Sequence, residues 1–151
     1  MQLKGKETFS ASAQELWDII MDKDKLAAIT PGISRLEVLG EDEYKAIVDI
    51  SIGPVKGAFK GDLKMVDKDP PNAVTMKVKQ LSKIGNADVT VHLQIEEHSP
   101  TESTLSFKGL AKMSGVLARM GQRVMTGVAA TITKQLFAAL QEEVQKLKPN
   151  S

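Results

Sequence analysis

Two histidines, one glutamate and a group of strand lysines are the side chains of this sequence whose types could do chemistry. His92 falls on the polar phase of an alternating run and His98 lies beside a turn, so the two share no spacing suited to one metal ion. The chain has no cysteine, which excludes a disulfide scaffold, a thiol nucleophile and a thiolate-held metal. Glu7 is in phase with Leu3, Gly5 and Phe9 and so reads inward. Buried there, it could serve as an acid, a base or a hydrogen-bond partner for a ligand. At a strand end it would be solvated, and the sequence leaves both readings open.

Gly53-Pro54-Val55-Lys56-Gly57 has two glycines and a lysine, but proline removes an amide donor and no helix follows. A turn or bulge between strands suits it better than a phosphate loop. There is no nucleophile elbow and no dinucleotide fingerprint. The expectation is therefore no catalytic residue, no metal site and no cofactor. Lys56, Lys60, Lys64, Lys77, Lys79 and Lys83 fall on neighbouring strands and could meet an acidic partner or anionic lipid heads. They could equally form a solvated face, partly neutralised by Asp49, Asp62 and Asp88. A formal net charge of +1 and 4% aromatic residues argue against a nucleic-acid partner.

The elements that must position these groups can be read from periodicity. Leu3 to Phe9 alternates as a first strand. Ser12 and Glu15 have the spacing of a capping box for a short helix carrying Leu16, Trp17, Ile19 and Ile20. Asp22 is placed to cap a second short helix that Pro31-Gly32 ends. About six strands follow, over Leu36–Leu39, Tyr44–Ile52, Val55–Met65, Val74–Val78, Val89–Ile95 and Leu105–Ala111, each with one apolar phase. Val116, Leu117, Met120, Val124, Val128, Ile132, Leu136, Leu140, Val144 and Leu147 recur at three- and four-residue steps, which predicts one helix of about 30 residues. The fold class is α+β: a curved antiparallel sheet of about seven strands wrapped around a long C-terminal helix, with two short helices after the first strand. Residues 1–148 form one domain and 149–151 a short tail. No run approaches the length of a membrane span.

Such a layout often leaves space between helix and sheet, and the residues that would face it are small or soft. Expected to line an apolar pocket are Trp17, Ile50, Gly57, Phe59, Gly61, Leu63, Met76, Val91, Phe107, Gly109, Met113, Leu117, Met120, Gly121 and Val124. Methionine adapts to irregular apolar surfaces. The plainer alternative is close helix–sheet packing, with glycines allowing backbone approach and methionines filling gaps.

Several stretches resemble one known family. They are Phe9–Trp17, Pro31-Gly32, Ile52–Gly61 (Ile-Gly-Pro-Val-Lys-Gly-Ala-Phe-Lys-Gly), Asp69-Pro70-Pro71, and Met120-Gly121-Gln122-Arg123 with Phe137. Over about residues 1–147 the chain is similar to the CoxG family of carbon monoxide dehydrogenase subunits, within the START/Bet v 1-like helix-grip superfamily. The resemblance implies a helix-grip fold and an accessory protein that supports a molybdenum hydroxylase. It implies a binder of an apolar molecule of lipid or quinone class, and no catalytic residue set. Several members continue into an apolar C-terminal anchor, whereas this sequence stops at Ser151. The expectation is a cytoplasmic protein with at most peripheral contact at the inner face of the membrane. A redox-enzyme partner and a homodimer both stay open. So do two other functions: an assembly protein without ligand, and a small-molecule enzyme, such as a cyclase or hydrolase, using Glu7.

Overall fold

The computed structural model describes residues 1–148; the short tail expected over 149–151 lies outside them. Strand β1 (Gln2–Phe9) leads into helices α1 (Ala13–Met21) and α2 (Lys23–Ile29). Ser12 closes the capping box as expected. Its hydroxyl accepts from the Glu15 N–H at 3.1 Å, and the Glu15 carboxylate accepts from the Ser12 N–H at 2.8 Å. The Asp22 carboxylate accepts from the N–H groups of Asp24 and Lys25, starting α2.

Six strands follow: β2 (Ile33–Gly40), β3 (Glu43–Ile52), β4 (Val55–Asp69), β5 (Ala73–Ser82), β6 (Gly85–Ser99) and β7 (Glu102–Met113). They form one antiparallel sheet with the order β1-β7-β6-β5-β4-β3-β2. Strands β2 to β7 are sequential neighbours, while β1 pairs with the last strand, Gln2 opposite Leu110 and Phe9 opposite Ser103. Gly53-Pro54 is the two-residue connection of the β3–β4 hairpin. A register shift between Val66 and Asp69 marks an irregularity where Asp67 has φ 51°.

One expectation needs correction. The apolar steps from Val116 to Leu147 are not one continuous helix. They form α3 (Gly115–Arg119) and α4 (Gln122–Lys146). The break is at Gly121, whose φ of 89° and ψ of 156° lie outside the helical region and are accessible chiefly to glycine. The spacing survives the break, so periodicity alone does not reveal it.

The inner face of the sheet and one face of α4 bury the core, which divides into two clusters. The larger joins α1 and α2 to the sheet and the C-terminal half of α4, through Phe9, Leu16, Trp17, Ile19, Met65, Ile95, Leu105, Phe137, Leu140 and Val144. The Phe137 ring meets Phe9 edge-on at 5.9 Å and tilts against Phe107 at 6.0 Å. The smaller joins Val55 and Phe59 of β4 to Leu117 of α3 and Met125 and Val128 of α4.

Candidate functional site

Between the two clusters the inner face is less completely covered. By alternation from buried Val74, Met76, Val78 and Gln80 of β5 point to the helix side. So do Val89, Val91 and Leu93 of β6, counted from Ile95. Met76 and Leu93 pack on the larger cluster. Val78, Val89 and Val91 belong to neither cluster and stay half-buried. The middle of α4 presents small side chains on its buried side. Ala129 and Thr133 are half-buried there, and the Thr133 hydroxyl donates to the Ala129 carbonyl at 2.9 Å. Gln80 donates its amide to the Lys79 carbonyl at 3.2 Å, and its Oε1 is buried without a hydrogen-bond partner.

This stretch of inner face ends beside a cleft at the helix break. The cleft holds about 370 Å³. Ala111, Lys112 and Met113 of β7, Leu117 and Ala118 of α3, and Gly121, Gln122 and Met125 around the start of α4 line it, with Met1 at the sheet edge. Helix α3 is fixed to the β5–β6 hairpin. The Leu117 N–H donates to the Ile84 carbonyl at 2.9 Å, and the Ser114 N–H donates to the Asn86 carbonyl at 3.0 Å. Gly85, with φ 129°, makes this contact possible, since a side chain there would run into the Ser114 carbonyl.

The residues expected to line a pocket are thus distributed. Met113, Leu117 and Gly121 meet at the cleft. Ile50, Phe59 and Met120 lie with Leu117 in the smaller cluster. Trp17 is buried in the larger one, and Leu63, Met76 and Phe107 pack against it. Val91 faces inward, half-buried, and belongs to neither cluster. Gly61 and Gly109 stand close to the backbones of β5 and β6, against the Lys79 and Thr90 carbonyls respectively, and so serve strand approach. Gly57 is exposed, opposite Ile50, with open space around it. Val124 is half-buried on the first turn of α4. Sequence reasoning missed Ala118 and Gln122 because a continuous helix turns them elsewhere. Ala111 was already in phase on the last strand.

The candidates for chemistry lie apart from the cleft. Glu7 pairs with Leu105 at the packed end; it is half-buried, and its Oε2 is buried with no hydrogen-bond partner. His92 is exposed and bonds through Nδ1 to the Thr75 hydroxyl at 2.8 Å. His98 is also exposed and bonds through Nε2 to the Thr104 hydroxyl at 2.8 Å. Among the described residues no three histidine, aspartate or glutamate side chains stand together as metal ligands.

A sheet gripping a C-terminal helix, with two short helices after the first strand, is the helix-grip fold, an arrangement also found in START/Bet v 1-like proteins. Residues 5–145 match the family model for CoxG, a subunit of carbon monoxide dehydrogenase, and the chain belongs to that family. A conserved protein from Geobacillus kaustophilus has a similar crystal structure, with TM-score 0.93 and 27% identity over 97% of this chain and 96% of that one. A START superfamily protein from Mycobacterium smegmatis aligns with TM-score 0.80 and 13% identity, over 97% and 99% of the two chains. The Zhui aromatase/cyclase from Streptomyces sp. R1128 aligns with TM-score 0.70 and 14% identity, over 98% and 96%. The last two likenesses concern the fold. Comparison with curated proteins returns no match. Among the described residues, no helix is long and apolar enough to cross a membrane.

Proposed function

We propose that this chain binds an apolar small molecule of lipid or quinone class between α4 and the inner face of the sheet, without transforming it. The observation that carries this reading is the divided core. Val78, Val89 and Val91 face inward yet join neither packed cluster, and the cleft beside Met113, Leu117 and Met125 provides an entrance. Apolar surface in this position gains about 25 cal/mol per Å² when a ligand covers it. The methionines at the entrance suit a flexible or flat guest. Membership of the CoxG family supports a second part of the proposal, that the bound molecule serves a molybdenum hydroxylase of carbon monoxide dehydrogenase type.

Native mass spectrometry of the purified protein, followed by denaturing extraction, tests the reading. The expected result is one apolar molecule at near one-to-one stoichiometry, either retained from the cell or taken up from a mixture of quinones and lipids. A protein that stays empty after both treatments overturns it.

A further inference from the structure

The outer face of the sheet handles its lysines in two ways. Across β3 to β7 one row reads Lys45, Asp62, Lys79, Asp88, Lys112, each residue paired with the next in register. Every lysine there has an acid beside it. Lys64 and Lys77 oppose each other, but Glu43 bridges Lys64 at 3.6 Å.

The row Thr75, His92, Lys108, Lys4 has no such compensation. Lys4 and Lys108 are direct cross-strand partners, an arrangement that is destabilising when nothing neutralises it. On β6, β7 and β1 the flanking rows supply no carboxylate: Thr90, Leu110 and Gln2 stand on one side, and Gln94, Ser106 and Lys6 on the other; the acids of those rows, Glu43 and Asp69, are on β3 and β4. Between these side chains runs a groove of about 690 Å³, to which no acidic residue contributes. Its walls carry hydrogen-bond donors: the two ammonium groups, the Thr90 hydroxyl and the Gln2 amide. The hydrogen bond between the Thr75 hydroxyl and Nδ1 fixes the His92 ring and leaves Nε2 for the groove.

We infer that this groove is a binding site for a phosphate monoester, held between Lys4 and Lys108. Charge decides the class, because two opposed cations without a counter-ion are relieved by a compact anion carrying about two charges. The site lies on the face of the sheet opposite the helix and is separate from the proposed apolar pocket. A soluble phosphate monoester and the headgroup of phosphatidate present the same chemistry.

The test follows backbone amide shifts of the isotopically labelled protein with two probes, glycerol 3-phosphate and phosphatidylcholine vesicles containing phosphatidate. Saturable shifts confined to β1, β6 and β7 with the soluble probe are expected, with a dissociation constant on the order of 1 mM at low salt. The double variant Lys4→Gln/Lys108→Gln should bind about tenfold more weakly, while Lys79→Gln, on the compensated row, should bind as wild type. Response to the vesicles alone, lost in the same double variant, assigns the site to a lipid headgroup. No saturable response to either probe, or an equal response in the double variant, overturns the inference. Extraction of an apolar ligand is unaffected by either substitution, so the two readings fail separately.

Discussion

The two ends of the helix-grip are built differently. At the α1–α2 end, Leu16, Ile19, Leu140 and Val144 are wholly buried, and Phe137 locks against Phe9 and Phe107. At the α3 end the helix is broken, the cluster is small, and Val116 remains exposed. Both ends use the same sheet and the same C-terminal segment. Dense packing is therefore concentrated in one half of the scaffold, and the other half is less completely filled.

The largest effect should come from breaking the packed end. Leu140→Ala removes a side chain with 0% exposure and should cost about 2–5 kcal/mol, read from chemical denaturation. A loss below about 1 kcal/mol would remove the contrast.

A smaller effect is expected where the open end is tethered. Gly85→Ala places a methyl group against the Ser114 carbonyl in a backbone conformation that disfavours alanine, and should cost about 1–3 kcal/mol. Gly121→Ala has a similar φ problem but open space around it, so its cost should be the lower of the two. Thermal denaturation of the pair separates collision from conformation. If the two variants lose the same stability, the α3–hairpin contact contributes nothing of its own.

The smallest change in stability should come from filling the gap. Val78→Phe adds volume at a half-buried inward position that no cluster occupies. Stability should stay within about 1 kcal/mol of wild type, against the roughly 1–3 kcal/mol usual for overpacking a filled core. Recovery of extracted ligand should fall several-fold at the same time. A large destabilisation would show that the two clusters already meet.

These contrasts also explain what could be read from sequence. The helix starts at Ser12 and Asp22 were legible because a cap is a local contact within three residues. The strands were legible because each keeps one phase, although β2 begins at Ile33, three residues before its apolar run suggests. The helix break was not legible. Glycine occurs at residues 115, 121 and 127, and Gly127 sits inside α4, so glycine identity alone does not decide where a helix stops. The packed end could be guessed from Trp17 and Phe137. The incomplete burial of Val78 and Val89 could not, since it depends on how closely the middle of α4 covers them. The opposed lysines of β1 and β7 were equally hidden, because their pairing joins the two ends of the sheet's chain order.

That same pairing governs how the protein assembles in time. Strands β2 to β7 close onto their sequence neighbours through short connections, each a local search. Strand β1 has to wait for a partner about a hundred residues further along, so its closure carries the largest loop entropy in the sheet. During synthesis the first strand emerges long before β7 does. Until then, the apolar residues of β1, α1 and α2 lack the surface they finally cover, and nascent chains in that interval are the species most exposed to chaperones and to aggregation.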